Sequence, residues 1–503
     1  MTDTDGFSEI SRVRRKLAAV EISRFDACWF VDGGFVSSGG EPIDVIDPAT
    51  AALIGRTVEC TSEEIDLAVA AAARAQPAWG EMDGLDRGRA LTACADALDA
   101  IQETLAAIVA LETGKAHRTE CLGEAQMIAS IFRYFGGLGM ELKGRTIPFR
   151  NSVIAMTTRE PVGVVAGIVP WNMPLMFLGY KIAAPLLAGN GVVIKAPEIA
   201  PFAVLRVIEA IRTHLPDGLI NVVVGKGKNA GQKLIAHDGI SKISFTGSVS
   251  SGKQVYETAA RSLKQVTLEL GGKSPMIMLD DCDHETVMEG AVGGMRFTRQ
   301  GQSCTSSTRM FVPSGMFDAF VDGLLDKAGK LVIGDPLCDR TDSGPIVSGD
   351  QLVRVKGFVE RALGEGQRFA TAGELPSEPP FDQGAFMQPH VFIDPDHDAE
   401  ISQRELFGPV VCVYGYDDLD ELVATANDTR YGLSASIWGK DINRCLKLSR
   451  AMRAGFVQIN QNAVMLPGLS YAGVKESGIG CESSLEAMLA TFTEEKTTIV
   501  NLG

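Results

Sequence analysis

The 503-residue chain has no long apolar run and no excess of positive charge. The lack of a stretch of about 18 apolar residues predicts that no helix spans a membrane. Lys and Arg number 47 against 63 Asp and Glu, a net charge of −16, which disfavours a nucleic-acid partner. The sequence opens M-T-D-T-D-G-F-S-E-I, with acids and no apolar core, which is unlike a secretory signal.

Paired cysteines and metal-ligand spacings are missing as well. The ten cysteines form no C-x-x-C, and none stands at metal-ligand spacing from a histidine, so no metal site is predicted. Cysteines scattered through a chain of this size are typical of reduced thiols. We therefore expect a cytoplasmic protein with neither membrane nor nucleic-acid partners.

What the middle of the chain does have is a regular alternation of strands and helices. Apolar, β-branched runs predict strands at 163–169, 191–195, 220–224 and 242–246, separated by predicted helices at 175–188, 200–214, 228–237 and 250–263. Such repetition predicts βαβ units in a parallel sheet, with ligands beyond the carboxyl ends of the strands. Upstream, 61–79 and 86–112 are predicted to be long amphipathic helices.

A second alternating series follows residue 273. The predicted strands are 275–279, 308–313, 409–414, 433–438 and 455–459, and the predicted helices are 283–296, 315–329, 350–363, 418–427 and 441–450. The segment 371–390 is the most loop-like. Residues 145–160 and 496–502 look like strands outside both series. The fold class is therefore α/β, with two parallel sheets.

Two motifs supply a carboxylate and a thiol. Glu269 stands in L-E-L-G-G-K-S-P, and Cys304 stands 35 residues later in F-T-R-Q-G-Q-S-C. The six histidines lie far from both motifs in sequence, so the pair suggests a thiol that attacks and a carboxylate that activates water in a second step. A third motif, P-W-N-M-P-L, puts Asn172 just after the predicted strand 163–169.

These three motifs, in this order, resemble the aldehyde dehydrogenase superfamily, which oxidises aldehydes to acids with a nicotinamide cofactor. The resemblance covers nearly the whole chain, residues 30–501. It implies that Cys304 forms a hemithioacetal and then a thioester, that Asn172 completes the oxyanion hole, and that Glu269 activates the hydrolytic water. Lys181 and Glu482 match a pair implicated in moving the base's proton outward.

The resemblance also implies an NAD site. Lys195 and Glu198 would hold the adenosine ribose hydroxyls, and Glu198 would repel a 2′-phosphate, so NAD is favoured over NADP. The usual G-x-G-x-x-G is absent, and a helix N-terminus after residue 246 is expected to receive the pyrophosphate instead. The other expected cofactor residues are Trp171, Gly225, Gly247, Ser248, Gly252, Leu270, Glu405 and Phe407.

The substrate tunnel is expected by the same resemblance. Its predicted lining is Met173, Met176, Phe177, Tyr180, Met465, Leu466 and Tyr471, with Gln302, Ser303 and Thr305 around the nucleophile. Because Lys181 is the only cation expected nearby, we predict an apolar aliphatic or aromatic aldehyde, with a semialdehyde or betaine aldehyde as alternatives. The chain departs from the family pattern at Tyr471-Ala472-Gly473 and at Cys481, changes expected near the substrate entrance but away from the nucleophile.

The implied organisation is a Rossmann-like NAD-binding domain (1–144 and 161–271), a catalytic domain (272–487) and an oligomerisation arm (145–160 and 488–503) of a homodimer or homotetramer. Three other functions remain open. A CoA-acylating semialdehyde dehydrogenase shares the fold and cysteine but typically lacks the glutamate base. A thiol esterase would use Cys304 without a nicotinamide, and a structural protein could use the same scaffold.

Overall fold

Helices and strands alternate along nearly the whole chain. The structure, a computed structural model, describes residues 8–377, 381–462 and 464–503. The helices are α1 (Glu9–Ser23), α2 (Ser62–Glu81), α3 (Gly84–Asp99), α4 (Gln102–Thr113), α5 (Leu122–Gly136), α6 (Pro174–Leu187), α7 (Phe202–Ile211), α8 (Gln232–Ala236), α9 (Val249–Ala260), α10 (His284–Met295), α11 (Phe317–Gly329), α12 (Gly349–Gly364), α13 (Glu400–Gln403), α14 (Leu419–Asn427), α15 (Ile442–Ala451) and α16 (Leu485–Phe492).

The strands form four sheets. They are β1 (Cys28–Val31), β2 (Gly34–Ser37), β3 (Pro42–Ile46), β4 (Leu53–Val58), β5 (Thr146–Arg150), β6 (Val153–Pro161), β7 (Val164–Ile168), β8 (Gly191–Lys195), β9 (Ile220–Val223), β10 (Lys242–Thr246), β11 (Gln265–Glu269), β12 (Pro275–Met278), β13 (Arg309–Pro313), β14 (Phe369–Thr371), β15 (His390–Ile393), β16 (Val410–Tyr416), β17 (Ser434–Trp438), β18 (Phe456–Ile459), β19 (Gly478–Ile479) and β20 (Thr493–Asn501). A hairpin of β3 and β4 stands apart from the three larger sheets.

The first large sheet has the order β19-β11-β10-β7-β8-β9-β1-β2. Strands β11 to β9 are parallel, and antiparallel strands close both edges. Strands β7 to β10 are buried along their whole lengths, as parallel strands between helices must be. Their carboxyl ends lie at one edge of the sheet, where the segments after β7, β8, β10 and β11 meet.

The second large sheet has the order β14-β15-β16-β13-β12-β17-β18 and is parallel except for β14. Successive residues of one strand pack on opposite faces. Ile277 and Phe311 belong to one apolar cluster, whereas their neighbours Met276 and Met310 belong to another. The predicted α/β fold with two parallel sheets is therefore confirmed.

A third, antiparallel sheet has the order β20-β6-β5. β6 and β20 pair over nine residues each. Apolar side chains remain exposed on this sheet, among them Phe149 (65%) and Ile499 (67%). The strands predicted at 145–160 and 496–502 thus exist, although β20 begins earlier, at Thr493.

The predicted helix 86–112 is wrong, because the chain leaves helical geometry at Ile101 (φ −125°, ψ 18°) and forms α3 and α4. No glycine or proline marks this break; α4 is buried on nearly all sides, and its packing sets its direction. Helix α1, strands β1 to β4 and strand β11 were not expected. The predicted helix 228–237 begins instead as a π-helical turn before α8.

Some expectations concern segments outside the described residues. Residues 1–7 of the acidic opening and 378–380 of the predicted loop 371–390 lie there. In the ranges that are described, no helix is long and apolar enough to cross a membrane. The predicted domain boundaries stay a prediction; β19, from the predicted catalytic domain, pairs with β11 of the first sheet.

Candidate active site

Cys304 lies in the loop between α10 and β13. Its Sγ atom is 3.3 Å from the hydroxyl oxygen of Tyr471. Although part of the residue remains accessible, removal from water raises the pKa of the thiol to about 11, and the Tyr471 hydrogen bond opposes this rise. The thiol is therefore protonated near neutral pH and has to transfer its proton to a base before it attacks.

Asn172 follows β7 and is held beside the nucleophile loop. Its side-chain Nδ2 donates to the carbonyl oxygen of Gln302 at 3.2 Å, which leaves the second N–H of the amide for another acceptor. The backbone carbonyl oxygen of Asn172 accepts a hydrogen bond from the Lys115 ammonium at 2.9 Å. Asn172 is 6% exposed, so these contacts fix a buried hydrogen-bond donor next to Cys304.

Glu269 ends β11 and lies in a cavity wall together with Cys304. Neither of its carboxyl oxygens has a hydrogen-bond partner among the described residues. Burial raises its pKa well above the usual range; the negative charge of Glu482 adds to this rise, and Lys181 opposes it. A buried carboxyl with a raised pKa can accept a proton near neutral pH.

A buried polar chain stands behind Glu269. The Lys181 ammonium donates to the Ser244 hydroxyl at 2.8 Å and to Glu482 at 3.4 Å, and Ser244 donates to Glu482. Burial lowers the pKa of Lys181, and the charges of Glu482 and Glu269 oppose that change. The structure thus brings Lys181 and Glu482 together, with Ser244, which sequence reasoning missed, between them.

A cavity of about 570 Å³ lies at the carboxyl ends of β7, β8 and β10. The Lys195 ammonium and the Glu198 carboxylate pair at 2.7 Å in its wall. Trp171, Gly247 and Ser248 line this cavity and also a neighbouring one of about 360 Å³ that reaches Cys304 and Glu269. An elongated ligand can therefore run from the Lys195–Glu198 pair to the nucleophile.

The inner end of this ligand path is formed by Leu270, Glu405 and Phe407. Phe407 stands edge-on to Trp171, with ring centroids 5.3 Å apart. Glu405 accepts a hydrogen bond from the Gly272 backbone N–H at 3.0 Å. Burial raises the pKa of Glu405 to about 7.

Two of the expected cofactor glycines do not line either cavity. A Cβ atom on Gly252 would lie 2.5 Å from Leu270, and one on Gly225 (φ +131°) would lie 2.6 Å from Glu59. These glycines allow close packing behind the wall. The wall itself includes neighbours that sequence reasoning missed, such as Lys226 and Ser251.

A separate cavity of about 220 Å³ approaches Cys304 from the other side. Seven of the residues expected in the substrate tunnel line it: Met173, Met176, Phe177, Ser303, Thr305, Met465 and Tyr471. Two do not. Tyr180 is buried against Phe135, with ring centroids 6.4 Å apart, and Leu466 is 54% exposed at the surface.

Charged residues in the same wall correct the expected character of the tunnel. Arg296, Arg299, Glu120 and Glu124 line it, whereas Lys181, the only cation expected there, does not. The sequence carried a signal for these charges near the nucleophile. Both arginines stand within eight residues before Cys304, and the two glutamates are four apart, on one helical face. The cavity is therefore not a purely apolar one.

Tyr471 also corrects an expectation. The departures from the family pattern at 471–482 were expected away from the nucleophile, but the Tyr471 hydroxyl hydrogen-bonds to Cys304. A phenylalanine at this position could make no such bond. Cys481, in contrast, is partly buried and lies next to its neighbour's carbonyl at 3.4 Å.

Known proteins match this arrangement over nearly its whole length. A sequence profile described as "Aldehyde dehydrogenase family" matches residues 35–498. Betaine aldehyde dehydrogenase from Mesorhizobium japonicum is 38% identical over 479 residues, 95% of this chain and 98% of that protein. The NAD⁺ complex of aldehyde dehydrogenase from Bacillus cereus is 33% identical, with TM-score 0.93 and full coverage of both chains.

Betaine aldehyde dehydrogenase from Staphylococcus aureus, solved with NAD⁺, is 32% identical, with TM-score 0.94 over 97% of this chain and 98% of that one. The family resemblance carried by the three motifs is thereby confirmed. The chain belongs to the aldehyde dehydrogenase family.

Proposed function

We propose that this aldehyde dehydrogenase uses NAD, with Cys304 as nucleophile and Glu269 as base. The observation that carries the proposal is the meeting of two cavities at one thiol. A long cavity suited to a dinucleotide reaches Cys304 from one side, and a short one reaches it from the other. Relatives solved with NAD⁺ support this choice of cofactor.

The chain's own residues fit an NAD molecule. The Lys195–Glu198 pair would hold the ribose hydroxyls, and a 2′-phosphate beside Glu198 would bring like charges together. Glu405 and Phe407 would hold the nicotinamide end. Bound NAD would supply the acceptor for the hydride that leaves the substrate carbon.

Covalent catalysis follows from the contacts around Cys304. The thiol transfers its proton to a base and adds to the aldehyde carbon, and Asn172 together with the Cys304 backbone N–H donates to the resulting oxyanion. Loss of hydride leaves a thioester on Cys304. Glu269 then takes a proton from water, which attacks the thioester and releases the acid and the free thiol.

The proton taken by Glu269 has a buried exit. Lys181, Ser244 and Glu482 form one hydrogen-bonded group, and the charges of Lys181 and Glu482 act on Glu269. We assign this group to the release of that proton after each turnover. Burying polar groups is costly, so a buried group of three polar side chains next to the base supports a role in the reaction.

Other reactions fit the site less well. A thiol esterase would not need the cavity of about 570 Å³ beyond Trp171. A CoA-acylating enzyme would not need a buried carboxyl such as Glu269, because its thioester is transferred to a thiol and not hydrolysed. A structural protein would have no use for Glu269 buried without a partner.

The decisive test mixes the enzyme with NAD and an aldehyde and follows NADH by absorbance. We expect steady formation of NADH and of the carboxylic acid in equal amounts, and none with Cys304→Ala. An ester serves as the second substrate. If the enzyme hydrolysed the ester but formed no NADH from an aldehyde, it would be a thiol esterase.

We further propose that the three-stranded sheet joins copies of this chain into a homo-oligomer, a dimer or a tetramer. Its exposed apolar side chains, Phe149 and Ile499 among them, support a covered surface. Light scattering should give a smaller mass for Phe149→Asp/Ile499→Asp than for the wild type. The ten free thiols support a reducing compartment, the cytoplasm.

A further inference from the structure

A buried ion pair stands behind the turn that carries Asn172. Lys115 follows the end of α4, and Glu124 lies in the first turn of α5. Their side chains are 1% and 0% exposed, and the Lys115 ammonium donates to the Glu124 carboxylate. Replacing a buried ion pair by apolar side chains of similar size often leaves stability unchanged or raises it. Stability alone therefore does not account for these two charges.

The pair also holds three backbone groups of one turn. The Lys115 ammonium donates to the Asn172 carbonyl oxygen at 2.9 Å. The Oε1 atom of Glu124 accepts from the N–H groups of Leu175 at 2.8 Å and of Met176 at 3.3 Å. Asn172 lies in the loop after β7, and the two N–H groups belong to the first turn of α6. One ion pair thus fixes both ends of the turn.

This turn has no cap of its own. Met173, at the N-cap position of α6, has φ −139° and ψ 61° and makes no side-chain cap hydrogen bond, and Pro174 has no N–H to donate. The first N–H groups of a helix have no partner within the helix, and the helix dipole favours a carboxylate beside them. Glu124 therefore supplies from α5 the cap that the turn lacks, so the position of the turn depends on α5.

The side chain of Asn172 is held from the opposite direction by the nucleophile loop. Its Nδ2 atom donates to the carbonyl oxygen of Gln302 at 3.2 Å, two residues before Cys304. With its backbone fixed by Lys115 and its amide fixed by Gln302, Asn172 has little freedom to redirect its second amide N–H. A donor stabilises an oxyanion best when it is in place before the reaction, and a displacement of about 1 Å can cost about 10²-fold in rate.

We propose that Lys115 and Glu124 are positioning residues that hold the Asn172 amide where the oxyanion forms. The proposal rests on the proposed function, in which Asn172 donates to that oxyanion. The pair acts through the backbone of the Asn172 turn and not on the reacting atoms. Glu124 also lines the cavity of about 220 Å³, whereas Lys115 is not part of that wall, so a change at Lys115 tests the role without altering a wall residue.

The test replaces the pair and measures the first half-reaction. Rapid mixing with saturating NAD and an aldehyde gives the rate of the NADH burst; the aldehyde is propanal, benzaldehyde or betaine aldehyde, whichever the wild type oxidises fastest. Lys115→Met/Glu124→Leu, the pair variant, should keep the fold and a cooperative thermal transition. Its burst rate should fall by about 10- to 100-fold, because loss of a whole oxyanion donor costs about 10²- to 10³-fold, while NAD affinity stays within about threefold.

A double-mutant cycle shows whether the pair acts through Asn172. In an Asn172→Ala background, the same two substitutions should change the burst rate by less than about twofold, because no amide is left to be misplaced. Arg87→Met is the matched control, since the buried Arg87 donates to the carbonyl oxygen of Leu187 at 2.9 Å, at the other end of α6. It should change the burst rate by less than about threefold in either background.

An unchanged burst rate in the pair variant would overturn the proposal. So would an equal loss with and without Asn172, because the pair would then act by another route, such as substrate contact with Glu124. If the pair variant did not fold, Lys115→Met would carry the same cycle, and Lys115→Arg, which keeps the charge, should lose less. A normal burst in Asn172→Ala alone would instead overturn the oxyanion role in the proposed function, and no NADH from the wild type with any of the three aldehydes would overturn that function itself.

Discussion

The two routes to Cys304 are built in different ways. The cofactor side is formed mainly by segments that follow the parallel strands β7, β8 and β10, and its ion pair, Lys195 with Glu198, joins residues three apart in sequence. The substrate side is formed by side chains from α5, α6 and the loop after α10, and its charges meet across more than 170 residues of sequence. The cofactor wall thus depends on strand ends, whereas the second wall depends on pairs of side chains that are distant in sequence.

The thiol common to both routes gives the largest expected effect. Cys304→Ala should abolish aldehyde oxidation, because no covalent adduct can form, while NAD affinity measured by calorimetry stays within a few-fold. Cys28→Ala, which removes a partly exposed thiol elsewhere, serves as the control. If Cys304→Ala kept a tenth of the wild-type rate, another nucleophile would have to be sought.

Glu269→Gln should separate the two half-reactions. The thiol can still attack and hydride can still leave, but water is no longer activated, so steady turnover should fall by about 10²- to 10⁴-fold. Rapid mixing should show one equivalent of NADH formed in a burst, and mass spectrometry should show acylated Cys304. An unchanged steady rate would mean that another group activates the water.

Glu198 tests the cofactor side alone. The wild type should prefer NAD to NADP by at least about tenfold in kcat/KM, and Glu198→Gln should narrow that ratio by removing the like charge next to the 2′-phosphate. The preference among aldehydes should not change. Equal use of the two cofactors by the wild type would contradict the ribose contact with Glu198.

Tyr471→Phe should give the smallest effect, on the substrate side alone. The Tyr471 hydrogen bond lowers the pKa of Cys304, so its loss should raise that pKa and leave less thiolate at any pH below it. The rate of thiol alkylation plotted against pH should shift to higher pH, with a few-fold lower rate at pH 8. Tyr256→Phe, at an exposed tyrosine, is the control, and identical profiles would remove Tyr471 from this role.

The sequence predicted the cofactor side of Cys304 better than the substrate side. Asn172 and the Lys195–Glu198 pair lie at or after the ends of strands that the apolar pattern predicted, so local pattern was enough to place them on one edge of a sheet. Glu269 was found through its motif alone, because β11 was not predicted. Pairs such as Arg299 with Glu120 depend on how α5 packs against the loop after α10, which no local pattern encodes. The break between α3 and α4 was missed for a similar reason: packing and not turn chemistry sets it.

The shortest strand also has a bearing on how the enzyme loses activity. β19 joins the first sheet through two residues, with Gly478 opposite Glu269, and the segment around it carries Tyr471 and Glu482. A ladder this short has few hydrogen bonds to break, so it can open while the buried strands β7 and β10 stay paired. Amide hydrogens near residue 478 should then exchange sooner than those of β10, and heating should inactivate the enzyme before its bulk secondary structure melts.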